Sequence, residues 1–225
     1  MQEEDNSEPE NMKAKLKICG MRDPDNISAV IELQPDYMGF ILYPGSKRFV
    51  EGLDAAIVSA IPSAIKTTGV FVDEDIAAVK EAVKLYGFKA VQLHGNESPA
   101  YCDELKEYFS RQDHVTEVIK AFGIDEDFDF NILSAYQNVV DYFLFDTQTP
   151  AHGGSGKAFN WRLLDKYKLQ KFYFLSGGIS LENVPELQQI NDGRFYAIDV
   201  NSRFEEAPAV KNVGKLTEFK KLLSC

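Results

Sequence analysis

Residues 16–26 read LKICGMRDPDN. A short apolar run, Leu16 to Ile18, meets Cys19 and Gly20, and a polar helix-start signal follows at once. The order is strand, turn, helix, and it recurs along the chain. Apolar, β-rich runs occupy 15–19, 36–42, 66–72, 89–93, 116–121, 141–146, 171–175 and 195–200. They are short and lack strict alternation, as strands buried on both faces do. Helical spacing fills the gaps. Ile76, Val79, Val83 and Tyr86 recur at 3, 4 and 3; Phe128, Ile132 and Tyr136 at 4; Leu181, Val184, Leu187 and Ile190 at 3. Ser98-Pro99 reads as a cap followed by a first-turn proline, Ser180 can cap the helix before Glu182, and a last helix is expected over 214–223. Strand and helix signals alternating eight times predict a parallel α/β protein. Eight is the number that closes a (β/α)8 TIM barrel; an open doubly wound sheet is the rival.

The chain has 225 residues, 44% of them hydrophobic, enough for a real core. No composition shift divides it, so residues 14–225 are expected to form a single catalytic domain, after a short disordered acidic N-terminal tail over 1–13. Five acids and no base lie in the first ten residues. With those ten set aside, the body still carries 24 basic against 30 acidic side chains. That balance argues against a nucleic-acid partner, because phosphate-backbone contacts need a basic face. No run reaches the roughly 18–20 apolar residues of a membrane span, so no membrane association is expected. Cys19, Cys102 and Cys225 are widely spaced and contain no CxxC pair, which disfavours a disulfide scaffold and a zinc site. The reading is therefore a cytoplasmic protein with no metal, no cofactor and no obligate protein partner.

In a barrel the chemistry sits just after the strands. Here strand 1 ends in Cys19-Gly20, strand 2 in YPGSKRF (43–49), strand 4 in His94-Gly95 and strand 6 in Asp146-Thr147. HGGSGK (152–157) follows strand 6, Gly177-Gly178 follow strand 7, and Asp199 to Ser202 end strand 8. Each has a plain structural reading when taken alone: Cys19 as a small buried hydrophobe, Asp146 as a loop anchor, His94 as a hydrogen-bonded structural imidazole, Arg48 as a surface charge. GGSGK lacks the spacing of a P-loop. Gly177 and Gly178 are better placed, since glycines after strand 7 let backbone N–H groups approach a phosphate. A thiol, a carboxylic acid, an arginine and a phosphate nest at one mouth point to acid–base chemistry on a phosphorylated small molecule.

At these residues the chain resembles the phosphoribosylanthranilate isomerase family of tryptophan biosynthesis. The matching segments are KICG (17–20), GFILYPGSKRFV (39–50), GVFVDE (69–74), VQLHGNE (91–97), FDTQTPAHGGSGKAFNW (145–161), LSGGISLENV (175–184) and DVNS (199–202). The resemblance implies a (β/α)8 barrel. It implies a cofactor-free Amadori rearrangement of N-(5-phosphoribosyl)anthranilate to 1-(2-carboxyphenylamino)-1-deoxyribulose 5-phosphate. It assigns general base to Cys19, which has to become thiolate, and general acid to Asp146, which has to be protonated. Arg48 then meets the anthranilate carboxylate; from position alone, Phe40 and the 43–49 loop are expected to give the aromatic ring an apolar wall. Gly177, Gly178, Asn201 and Ser202 become phosphate candidates, and Gly154 to Gly156 part of a covering loop. Asp199 and His94 are expected to position ribose hydroxyls or the catalytic groups. The related histidine-pathway isomerase implies Asp at the strand-1 position, where this chain has Cys19. After DVNS the family commonly reads Gly-Val-Glu, while this chain reads Arg203-Phe204-Glu205, and Ala209 also stands where glycine is common.

Overall fold

A computed structural model describes residues 14–112, 115–148 and 158–223. The tail expected over 1–13 lies outside the described residues. Eight strands are β1 (Lys15–Ile18), β2 (Tyr37–Ile41), β3 (Lys66–Phe71), β4 (Ala90–Leu93), β5 (Glu117–Ile124), β6 (Tyr142–Thr147), β7 (Tyr173–Leu175) and β8 (Phe195–Val200). They pair in chain order, all parallel, and β8 closes on β1 with Lys17 beside Asp199. The barrel reading holds and the open sheet is excluded.

Alternation is present in each strand but hidden, because both faces are apolar. One set of side chains fills the barrel axis: Tyr37, Ala90, Ile119, Ala121, Leu144, Phe174 and Ala197. The other set, including Ile18, Val91, Phe143 and Leu175, packs outward under the helices. Full burial of one such side chain contributes about 1.5–3 kcal/mol. The strands' N-terminal end is closed by Tyr37, whose hydroxyl donates to Glu117 at 2.9 Å, and by Lys66 on the same carboxylate at 2.5 Å. Phe40 belongs to the outward set. It is fully buried and stacked on Phe88 at 6.1 Å, so it cannot line the mouth as expected. Strand pleating puts it on the face opposite Gly39.

The helices are α1 (Pro24–Ile31), α2 (Ala55–Ser59), α3 (Ile76–Tyr86), α4 (Pro99–Ser110), α5 (Val184–Leu187) and α6 (Val213–Leu222). Their starts follow capping chemistry. Asp23 accepts from the Asn26 N–H at 2.8 Å, and Ser98 from the Tyr101 N–H at 3.3 Å, each just before a proline. Ser180 is the N-cap of a capping box with Asn183, whose Oδ1 accepts from the Ser180 N–H at 2.9 Å. Two expected helices are shorter and tighter. Phe130–Ala135 is a 3-10 segment, and Leu181–Asn183 is a 3-10 turn running into α5, where Pro185 sits at the start. In the first, Phe130, Leu133 and Tyr136 face the core at a spacing of 3, while Ile132 is 46% exposed. Phe128 and Tyr136 pack on the core as expected, while the 3-10 repeat of three residues per turn brings Leu133 inward in place of Ile132.

Candidate active site

Cys19 leaves β1 with its N–H bonded to Val200 O at 3.0 Å and is 3% exposed. The space for its thiol comes from Gly39 on β2, where an added Cβ would lie 2.7 Å from Sγ. Lys17, two residues earlier, points to the same inner face, and its Nζ donates to Asp199 Oδ1 at 2.9 Å. The pair is almost completely buried, 0% and 5% exposed. Burial pushes the Cys19 thiol above its ordinary range; Lys17 pulls it down, Asp199 pushes it up and Lys211 pulls it down, and the result is a raised thiol. Burial likewise leaves Asp199 raised despite Lys17. Burial works against the Lys17 ammonium, but the charge and hydrogen bond of Asp199 oppose it and its pKa is raised. In the free protein Cys19 is therefore a thiol beside an ammonium.

Asp146 stands near the end of β6, its side chain 14% exposed. Oδ1 accepts from the Thr147 N–H at 2.7 Å, and Oδ2 lies 3.4 Å from His94 Nε2. Behind His94, the Gln92 amide nitrogen is 2.9 Å from Nδ1. Asp199 is within electrostatic reach of Cys19, Lys17, Asp146 and His94, which ties the strand-1 and strand-6 groups into one site. His94 thus meets Asp146. Asp199, expected to position ribose hydroxyls or the catalytic groups, is occupied by Lys17.

Arg48 is clamped by Glu205. Its Nε donates to the two carboxylate oxygens at 2.9 and 3.0 Å, and Nη2 to Oε2 at 2.7 Å. Nη1 has no partner among the described residues and carries the donors left for a ligand. Glu205 also accepts from Lys211 Nζ at 2.6 Å and the Ala209 N–H at 3.1 Å. Burial alone would raise Glu205, but the Arg48 hydrogen bonds and the Lys211 charge hold it below the usual carboxylate range. Lys211 spans to Asn201 Oδ1 at 2.7 Å, which leaves the Asn201 amide NH2 facing away from that contact. Lys17, Gln92, Lys211 and Glu205 were missed by sequence reasoning. The signal for two of them was available: Lys17 and Gln92 sit two residues before Cys19 and His94, on the same inward face.

Gly177 and Gly178 follow β7 with φ of +86° and +64°, both left-handed. No described residue accepts from their N–H groups, and Ser202, just after β8, is half-buried. A Cβ on Gly177 would lie 2.6 Å from Thr147 N and 2.7 Å from Asp146 Oδ1. Gly177→Ala is therefore expected to displace the Asp146 carboxyl and strain the turn, destabilising by about 1–3 kcal/mol and lowering kcat/KM by about tenfold or more; thermal melting and steady-state kinetics check both. The two departures from the family pattern separate. Arg203 is exposed in a 3-10 turn (Ser202–Phe204) at negative φ, so its position makes no demand for glycine. Ala209 is buried with φ +69°, a conformation that glycine holds at less cost. It turns a two-strand hairpin, β9 (Glu205–Ala207) with β10 (Val210–Lys211). Gly154 and Gly156 lie outside the described residues.

A cleft of about 440 Å³ opens on the β4–β6 side, between His94, Asp146, Phe122, Phe128 and Tyr136. Lys120 at its base is matched by Glu97 at 3.1 Å and by the carbonyls of Gly95 and Ala121.

A closed barrel that gathers a thiol, a carboxyl group, a clamped arginine and two left-handed glycines at the carboxyl ends of its strands has the make-up of a barrel enzyme with an acid–base site. The family model for N-(5'-phosphoribosyl)anthranilate (PRA) isomerase matches residues 16–221. A relative of that name from Parabacteroides distasonis is 41% identical over 206 residues, covering 91% of this chain and 90% of its own. The crystal structure of phosphoribosyl anthranilate isomerase from Thermus thermophilus superposes with a TM-score of 0.81 at 29% identity, covering 93% of this chain and 98% of its own. Another, in complex with reduced 1-(o-carboxyphenylamino)-1-deoxyribulose 5-phosphate, has a TM-score of 0.78 at 29% identity, covering 94% and 98%. The chain belongs to the N-(5'-phosphoribosyl)anthranilate isomerase family, and it is an isomerase of tryptophan biosynthesis.

Proposed function

We propose that Cys19 and Asp146 carry this reaction as general base and general acid. Protonated Asp146 gives its proton to the furanose ring oxygen of N-(5-phosphoribosyl)anthranilate. The bond from that oxygen to C1 breaks, leaving a Schiff base. Thiolate Cys19 then takes the proton from C2, and the C2–H electron pair forms the enolamine double bond. Tautomerisation gives the aminoketose, 1-(2-carboxyphenylamino)-1-deoxyribulose 5-phosphate, with no atom gained or lost. The observation that carries this reading is the pairing of a buried thiol beside the Lys17 ammonium with a carboxyl group on β6, both within reach of Asp199.

Arg48, through Nη1, takes the anthranilate carboxylate; a planar fork held by Glu205 is oriented before the ligand arrives. Gly177, Gly178, Ser202 and the Asn201 amide take the phosphate. Asp199 serves by holding Lys17, and His94 by facing Asp146. An acidic body and free Cys19 and Cys102 suit a reducing cytoplasm.

The test generates phosphoribosylanthranilate in situ and follows the loss of anthranilate-type fluorescence. The wild-type protein is expected to remove the signal rapidly, and Asp146→Asn to do so about 10²–10³-fold more slowly. Wild-type rates in folded Asp146→Asn would remove Asp146 as the acid. A folded wild type inactive here but active on the two-phosphate histidine-pathway substrate would overturn the substrate reading.

A further inference from the structure

Lys211 buries a positive charge beside a carboxylate that is already matched. Its side chain is 0% exposed, and Nζ donates to Glu205 Oε1 at 2.6 Å and to Asn201 Oδ1 at 2.7 Å. Glu205 does not depend on it for a counter-charge, because Arg48 meets both oxygens of that carboxylate. Two cations therefore share one anion. Burial lowers the Lys211 pKa, and the charge and hydrogen bond of Glu205 oppose this. An apolar side chain would fill the same space without the cost of desolvating an ammonium. The backbone of the residue is fixed as well. Asn26 Oδ1 accepts from the Lys211 N–H at 2.7 Å, and Asn26 Nδ2 donates to the Lys211 carbonyl at 2.9 Å.

What Lys211 alone does is hold the Asn201 amide. An ammonium only donates, and so does an amide NH2. The atom at 2.7 Å is therefore the oxygen, since the opposite orientation would set two donors against each other. The NH2 is turned away from the lysine and has no partner among the described residues. Gly20 shows where this amide lies. A Cβ there would be 2.8 Å from Asn201 Oδ1, 3.4 Å from Asn201 Nδ2 and 2.8 Å from Arg48 Cδ. The amide and the arginine converge over the residue that follows Cys19. Amide N–H groups at that place suit an anion, and a carbonyl turned the same way would repel one.

We propose that Lys211 is a positioning residue for the anionic substrate: by taking the oxygen of the Asn201 amide it turns the N–H groups, and not the carbonyl, toward the ligand. The proposal rests on the reading of Asn201 as a phosphate contact. No other described side chain holds that oxygen, so without Lys211 the amide is free to present either end.

Lys211→Met tests it. Methionine strands no charge, since Glu205 keeps Arg48, so the variant is expected to fold with a Tm close to that of the wild type. Its KM for phosphoribosylanthranilate should rise about tenfold or more, the worth of one hydrogen bond to a charged group, with kcat falling less. Asn201→Ala should raise KM to the same extent. The double variant should then be no worse than Asn201→Ala alone, because the lysine has no amide left to orient. A second rise of the same size in the double variant would mean that Lys211 acts by its charge alone, and would sink the proposal. A collapse of Tm in Lys211→Met would also overturn it, leaving the lysine as a support of the β9–β10 hairpin. Lys211 lies within electrostatic reach of Cys19, so binding decides and not turnover alone. Competitive inhibition by inorganic phosphate, and by benzoate as a carboxylate without phosphate, reads binding with no need of the thiol. Phosphate inhibition is expected to weaken in both single variants while benzoate inhibition is kept. Weakened benzoate inhibition with phosphate unchanged would discard the phosphate reading of Asn201 and keep the role of Lys211. A raised KM in Asn201→Ala but not in Lys211→Met would discard Lys211 and keep Asn201, and an unchanged KM in Asn201→Ala would remove both.

Discussion

Cys19→Ala is expected to lower kcat by about 10³–10⁴-fold, the upper part of the range for a lost general base, with KM changed little. The argument begins with burial. At 3% exposure the thiol is pushed above its ordinary range, and Lys17 and Lys211 only partly reverse this. A base that is mostly thiol at neutral pH gains strength as pH rises, so wild-type kcat/KM should climb on the alkaline side of neutrality until the acid limb intervenes. The variant keeps the acid, the Arg48 clamp and the glycine nest, so it should still bind. Removing one buried sulfur opposite Gly39 creates a small gap and no clash, costing about 1 kcal/mol. Cys19→Ser should lose nearly as much activity as alanine, because a hydroxyl does not ionise in this range. Steady-state fluorescence kinetics between pH 6 and 9 decide it. A loss below tenfold, or a pH profile unchanged by the substitution, would remove the thiol as base.

The fold was legible because its strands are short, apolar and evenly interrupted. The expected 195–200 strand is observed as Phe195–Val200, and the expected 36–42 strand as Tyr37–Ile41. The errors have a common source. Inward and outward faces are both apolar, so nothing in the sequence told Phe40, which packs under the helices, from Gly39, which faces the thiol. Period was misleading where helices are short. Of Phe128, Ile132 and Tyr136, which fit a spacing of 4, the first and last pack on the core, but the 3-10 segment turns Leu133 inward and Ile132 outward.

The site was legible at the strand ends and illegible one layer down. Cys19, Arg48, His94, Asp146, Gly177 and Gly178 stand out as polar or glycine residues after apolar runs. Lys17 and Gln92 lie inside those runs, where a polar residue looks like an interruption of a strand. Their meaning depends on a partner about 180 residues away for Lys17 and on the imidazole two residues further on for Gln92. Glu205 was hidden by the departure at Arg203-Phe204-Glu205. Attention went to the missing glycine, while the carboxylate that fixes Arg48 and Lys211 came two residues later.

Glu205→Gln is the largest expected loss of stability, and it follows from what the substitution strands. The carboxylate is 5% exposed and holds two cations, Lys211 at 0% and Arg48 at 13%. Glutamine keeps the shape and one acceptor but supplies no charge, so Lys211 is left buried and unpaired. Removing one partner of a buried pair costs about 3–5 kcal/mol, which for a chain of this size is roughly 6–15 °C in Tm. The pH dependence has a definite sign. Glu205 is held below its unfolded value, so its contribution is complete above that value, near 4.5, and is lost as pH falls through the lower, folded one. The gap in Tm between wild type and variant should therefore be widest near neutrality and close in acid. Kinetics give a second readout. Arg48 without its clamp regains side-chain freedom, so KM for phosphoribosylanthranilate should rise more than kcat falls, by about tenfold. An unchanged Tm at pH 7 would mean that water reaches Lys211 in place of the carboxylate. An unchanged KM with a lowered Tm would separate the two roles, leaving Glu205 as a support of the β9–β10 hairpin and Arg48 oriented by something else.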